Sequence, residues 1–188
     1  SMYILLLSLK VRPEISVAGS WAFAFNTFNF LSLEAGHNAK IWAICIIPLI
    51  IAGIHLAFTG KRLLGLAVAA LAVMLQLKFN HLQITYYTLL LVVIYGIGQL
   101  VHATNTQNLP EFGKTAAILL LAAFIGVAGN SARLASVMEY GKYSTRGENN
   151  LENGGTGLDK DYAFHWSQGK MESLTLLIPN FYGGASSQ

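Results

Sequence analysis

Apolar residues along this chain come in long runs, and short polar junctions separate the runs. A helix that crosses a bilayer needs roughly 20 mostly apolar residues. Four runs approach that length, at about residues 15–33, 41–58, 63–79 and 86–101, and a fifth at about 115–137 has a polar second half. The pattern predicts an all-α polytopic membrane protein with about five transmembrane helices. Residues 2–9 are apolar but too short to span, and they lack the basic leader of a signal peptide, so they read as the truncated end of a further helix. The stretch 180–188 closes no recognisable element, and both ends read as cuts in a longer protein.

The junctions set the expected topology. They fall at residues 10–14, 34–40, 60–62, 78–83 and 102–114, and successive spans reverse direction. The first, third and fifth junctions therefore share one side, and the second, fourth and the tail share the other. Lys10, Arg12, Lys61, Arg62 and Lys114 mark the first of these sides as cytoplasmic by the positive-inside rule, although Lys40, Lys78, Arg133 and Lys142 keep the bias modest. Residues 1–140 then form the transmembrane region, and residues 141–188 begin an extracytoplasmic loop or domain. Within that tail, residues 172–178 have strand-like content.

Composition narrows the class further. Of 188 residues, 54% are hydrophobic and only 11% charged, against about 25% charged in ordinary soluble domains. The charges sit between apolar runs, so they carry topology rather than a nucleic-acid footprint, and nucleic acid is excluded as a partner. Cys45 lies inside an apolar run as a small packed hydrophobe and offers neither a disulfide framework nor a metal cluster. No Gly pair has the strand-to-helix setting of a phosphate-binding loop.

Candidate chemistry gathers on the predicted extracytoplasmic side. Glu34 and His37 are spaced i, i+3 and share one face if the helix continues, with Asn38 beside them. Asn80, His81, Gln83 and Tyr86 form a second group of amides, imidazole and phenol suited to binding sugar hydroxyls or phosphate, with His81 also a possible base. An interfacial aromatic belt and solvated loop residues are the competing reading of both groups. Glu34, His37 and His81 are candidate ligands for a divalent metal, the one candidate cofactor. Arg133 is costly near the membrane unless it meets an anion, a carboxylate or water, and with Arg146 it would suit a lipid-linked phosphate. Asp159, Lys160, Asp161, His165 and Trp166 make a polar-aromatic patch in the tail, read as a solvated turn or a substrate-facing loop. His55 and His102 lie toward the opposite side and join no cluster.

Several pieces together resemble the YfhO-like bacterial membrane proteins, particularly those of Bacteroidetes-type bacteria. They are Leu33-Glu-Ala-Gly-His-Asn-Ala-Lys40, Asn80-His-Leu-Gln-Ile-Thr-Tyr-Tyr87, Tyr143-Ser-Thr-Arg-Gly147, Gly157-Leu-Asp-Lys-Asp-Tyr-Ala-Phe164 and Leu177-Ile-Pro-Asn-Phe-Tyr-Gly-Gly184. The resemblance covers an internal section of much longer proteins. It implies a relation to the GT-C glycosyltransferases, which move a sugar from a polyprenyl-phosphate donor onto an acceptor outside the bacterial inner membrane. Glu34 and His37 match the family's Glu-Ala-Gly-His motif, and Asn80 and His81 its Asn-His motif. The GT-C signature acid, commonly an Asp in the first large external loop, has no counterpart before Asp159 and is expected upstream of residue 1.

The sequence therefore leads to an expectation and two rivals. The expectation is part of a multi-pass inner-membrane glycosyltransferase for cell-envelope glycosylation, with Glu34 and His37 catalytic and Asn38, Asn80, His81, Gln83, Tyr86, Arg133 and Arg146 binding substrate. The rivals are a flippase or transporter of lipid-linked glycans, and a non-catalytic scaffold in an envelope complex. Membrane lipids are expected partners in all three.

Overall fold

A computed structural model of the chain describes residues 1–141 and, beyond them, Leu174, Ile178 and Phe181. The chain divides into two compact units, Ser1–Leu134 and Ala135–Gln188. Every regular element among the described residues of the first unit is a helix. They are α1 (Met2–Ser8), α2 (Pro13–Ala24), α3 (Thr27–Glu34), α4 (Asn38–Phe58), α5 (Arg62–Lys78), α6 (Leu82–Asn105), α7 (Leu109–Ala128) and the start of α8 (Ser131–Gly141).

Three of these helices, α4, α6 and α7, are long and apolar enough to cross a membrane. Large side chains on α6 and α7, among them Leu89, Ile94, Ile97, Leu120 and Phe124, are exposed. In water such a surface would be an aggregation hazard, whereas in lipid it is an ordinary helix face. At 17 residues, α5 falls a little short of α4, α6 and α7, yet it lies at the centre of the packing, against α4 on one side and α7 on the other.

Small residues bring α4 and α5 together. Gly53 and Ala57 on α4, and Gly65 and Ala69 on α5, are each spaced by four and are buried. A Cβ added at Gly53 would lie 2.6 Å from the backbone nitrogen of Ala69, and one at Gly65 would lie 2.5 Å from that of Ala57. Two small-xxx-small stripes thus face each other, the arrangement that lets helix backbones touch where lipid supplies no hydrophobic drive. On α7, Ala122 and Gly126 repeat the device against α5, where a Cβ at Gly126 would meet Val73 at 2.6 Å.

The turns are short and built alike. Three residues join α3 to α4, α4 to α5, α5 to α6, and α6 to α7. One residue in each turn takes a left-handed backbone: Gly36, Gly60, Asn80 and Gln107, with φ of 77°, 92°, 54° and 55°. At three of them the next N–H reaches back five residues, from His37 to Ser32, Lys61 to Leu56 and Asn108 to Ala103. This Schellman closure satisfies carbonyls that a helix end otherwise leaves open.

Two predicted spans differ from the sequence reading. Residues 15–33 are not one helix but α2 and α3, broken at Phe25-Asn26. Asn26 Oδ1 accepts from the Asn29 N–H at 2.9 Å, starting α3, while Asn26 Nδ2 and Asn29 Nδ2 both donate to the Phe23 carbonyl that α2 leaves open. At 12 residues α2 extends about 18 Å, well short of the ~30 Å hydrocarbon core. The run at 115–137 is likewise divided: α7 begins earlier, at Leu109, and ends at Ala128, and α8 begins at Ser131. In the tail, the Ile178 N–H donates to the Leu174 carbonyl at 2.9 Å, a helical-turn bond where the sequence suggested a strand.

Candidate functional site

Helix reversal at each short turn puts the N-termini of α4 and α6 and the C-termini of α5 and α7 at one rim of the bundle. Trp42 of α4 stacks on Phe79 after α5, with ring centroids 5.5 Å apart, which fixes these ends side by side. Glu34, His37, Asn38, Asn80, His81, Gln83, Tyr86 and Arg133 all belong to segments at this rim. Most of them are exposed, and His81 is half-buried.

Several of these side chains already have structural work. Asn80 occupies the left-handed position of the α5–α6 turn, which Asn tolerates better than other non-glycine residues. His81 caps α6, its Nδ1 accepting from the Ile84 N–H at 3.3 Å. Gln83 Nε2 donates to the Tyr87 hydroxyl at 3.0 Å, and Tyr86 packs against the Tyr87 ring. Arg133 donates through Nη1 to the Lys78 carbonyl, joining the start of α8 to the end of α5. Asn130 is buried beside it, with Nδ2 donating to the carbonyls of Met74 at 2.9 Å and Gly126 at 3.0 Å. Arg133 thus meets a helix-terminal carbonyl, a partner the sequence reading did not consider.

Glu34 and His37 flank the turn between α3 and α4, and Gly36 between them ends α3. They therefore do not share a face of one continuous helix. Lys40, on the first turn of α4, lies over the Phe28 ring at 4.7 Å. Among the described residues no three His, Cys, Asp or Glu side chains gather as a metal site, the candidates Glu34, His37 and His81 included. Arg146 and the patch Asp159, Lys160, Asp161, His165 and Trp166 lie outside the described residues.

The opposite rim holds a cluster that the sequence reading missed. Arg62, at the start of α5, donates through Nη2 to Glu111 of α7 and through Nε to the Thr115 hydroxyl at 3.2 Å. Lys114 reaches the other Glu111 oxygen at 2.8 Å. A cavity of about 290 Å³ opens here, lined by Arg62, Gln99, His102, Thr106, Asn108 and Glu111. The signal was present as Glu111-x-x-Lys114 in the first turn of a helix, where an acid favours the positive end of the dipole. These junction charges hold α5 against α7.

In the last turn of α4, the His55 ring Nδ1 lies 2.9 Å from the Tyr95 hydroxyl and links α4 to α6. No protein-family model, no curated protein and no solved structure matches this chain.

Proposed function

We propose that this chain forms one wall of a membrane-embedded glycosyltransferase of the YfhO-like, GT-C-related kind, which transfers a sugar from a polyprenyl-phosphate donor to a cell-envelope acceptor. The observation that carries the reading is the common rim: Glu34, His37, Asn38, Asn80 and Gln83 are exposed on segments at one end of the bundle. A lipid-linked sugar presents its reacting carbon at such a boundary between hydrocarbon and water. In this reading Glu34 and His37 handle the acceptor proton, and the amides of Asn38, Asn80 and Gln83 meet sugar hydroxyls. His81 uses Nδ1 for its cap and keeps Nε2 for substrate. Arg133 uses one N–H on Lys78 and has others to offer to a phosphate.

The test is sugar transfer from a polyprenyl-phosphate donor by the full-length parent protein in membranes. Glu34→Gln and His37→Ala are the informative changes, because both side chains are exposed and neither carries a helix cap through its side chain. General acid–base participation predicts a loss on the order of a hundredfold, with unchanged protein in the membrane. Undiminished transfer in both variants would remove them from the site. A flippase of lipid-linked glycans is the second reading, favoured by the His55–Tyr95 pair and the buried Gln76 among the helices, where a carrier places polar groups along its path. It is distinguished by movement of the lipid-linked glycan with no release of sugar.

A further inference from the structure

Two polar faces of the same spacing meet at the rim that holds Arg62. On α6, Gln99, His102 and Thr106 follow at i, i+3 and i+7, and from the cap of α7 onward Asn108, Glu111 and Thr115 repeat the interval, so each set shares one helix face. These faces and Arg62, at the start of α5, surround the cavity of about 290 Å³. Its inner end is aromatic. Phe58 and Phe112 stack with ring centroids 5.7 Å apart and line both this cavity and a larger apolar groove among α4, α5, α6 and α7. The rings stand between the two spaces.

The hydrogen bonds around the cavity leave donors over. Thr106 and Thr115 commit their hydroxyl hydrogens to the carbonyls of His102 and Glu111, at 2.8 and 3.0 Å. The amides of Gln99 and Asn108 and the imidazole of His102 have no hydrogen-bond partner among the described residues. Arg62 gives one N–H to Glu111 and one to Thr115, of the five that a guanidinium carries, and its side chain is 32% exposed. Charge is left over too. Glu111 is met by both Arg62 and Lys114, so two cations share one carboxylate. A ligand here must bring negative charge and accept hydrogen bonds from donors on α5, α6 and α7. A neutral molecule leaves the charge unmet, and a carboxylate holds its two oxygens in one plane. A phosphate spreads its oxygens tetrahedrally and meets donors from three helices, and Arg is the side chain best matched to it. The cavity lies just under the ~300–1,000 Å³ of small-molecule pockets, room for a phosphate and its first substituent.

We infer that this cavity binds a phosphate group, with Arg62 as its cation and Gln99, His102 and Asn108 as further donors. Glu111 stays on Arg62 and Lys114 and holds the guanidinium in place. Two sources can present such a group at a membrane rim. One is the head of an anionic phospholipid, whose chains would lie along the exposed Leu100, Val101 and Leu109 that adjoin the lining residues in sequence; basic pockets between membrane helices take such heads. The other is a soluble phosphate. The site is at the opposite rim from Glu34 and His37 and stands apart from the transfer chemistry proposed there.

The experiment uses the whole chain in an uncharged maltoside detergent, with bound molecules counted by native mass spectrometry. The probes are dioctanoyl phosphatidic acid, dioctanoylglycerol, which has the same chains and no phosphate, and inorganic phosphate. Phosphatidic acid is expected to fill one site at about tenfold lower concentration than dioctanoylglycerol, the worth of one charge-assisted hydrogen bond. Gln99→Ala combined with Asn108→Ala keeps the net charge and removes two donors, and is expected to weaken phosphatidic acid about tenfold while leaving dioctanoylglycerol as it was. Arg62→Gln is expected to weaken it at least as much. Lys61→Gln is the control, because Lys61 adjoins Arg62 but does not line the cavity; the loss there should be about twofold or less, as for an exposed charge. Displacement of phosphatidic acid by millimolar inorganic phosphate would support the site with a soluble phosphate as its source, and resistance to displacement would support it with a lipid head. Equal binding of phosphatidic acid and dioctanoylglycerol by the unaltered chain would overturn the inference. So would phosphatidic acid binding that the paired amide change leaves intact, or a loss in Lys61→Gln as large as in Arg62→Gln, since either marks diffuse attraction to a basic rim. If Arg62→Gln failed to fold, the paired amide change would still decide.

Discussion

Gly65 of α5 lies against Ala57 of α4 so closely that a methyl group on Gly65 would sit 2.5 Å from the Ala57 backbone nitrogen. The obstacle is backbone, which cannot swing aside. Gly65→Ala is expected to push α4 and α5 apart and lower stability by about 1–3 kcal/mol, the usual cost of overpacking. Helix propensity favours Ala over Gly by about 1 kcal/mol in the opposite direction, so a net loss would isolate the contact. Thermal unfolding in detergent, followed by circular dichroism, measures it. The control is Gly98→Ala, where a Cβ meets nothing within 4 Å and stability should hold or rise.

Asn80 gives a cleaner separation of structure from chemistry. Its φ of 54° is a conformation that glycine adopts freely and β-branched residues resist. Asn80→Gly should leave stability nearly unchanged, while Asn80→Val should lower it by about 1–2 kcal/mol. If Asn80 also binds sugar, Asn80→Gly will lose transfer activity in a protein of normal stability. Measuring Tm and sugar transfer on the same preparations tells the two roles apart.

His55 and Tyr95 test how polar groups are held between helices. Tyr95→Phe leaves the imidazole without its partner and is expected to destabilise by about 1–3 kcal/mol. The double change His55→Leu with Tyr95→Phe removes both groups and should restore much of that loss. Chemical unfolding of the two variants side by side reads the difference. Equal loss in both would mean that the hydrogen bond contributes little.

At the opposite rim, Arg62 and Glu111 tie α5 to α7. Glu111→Gln removes the carboxylate charge from both Arg62 and Lys114. Hydrogen exchange at the first turn of α7 is expected to quicken, while the Asn130 end of the same helix stays protected. Raising the salt concentration should shrink the difference between the variant and the original chain, because both acid and bases are partly exposed.

The sequence carried the helical class, because long apolar runs and short junctions leave few alternatives. It misjudged continuity. The run at 15–33 is apolar enough on average to read as one helix, yet Asn26 and Asn29 spend their amides on capping the break. Hydropathy averages over that local competition. Gln76 was passed over for a similar reason: one amide hardly changes the mean of a 17-residue apolar helix, and only packing reveals that it has no partner. The pairing of Arg62 with Glu111 spans 49 positions, a distance at which spacing carries no signal. The spacing of Gly53 with Ala57, and of Gly65 with Ala69, was legible as a small-residue stripe. Which helix each stripe would meet depends on the three-residue turn between them.

That turn, Thr59-Gly60-Lys61, bears on cooperativity. A connection so short makes α4 and α5 antiparallel neighbours, and the stripes meet only when both helices are side by side. The α4–α5 hairpin is therefore one cooperative unit, since neither stripe keeps its partner once the helices part.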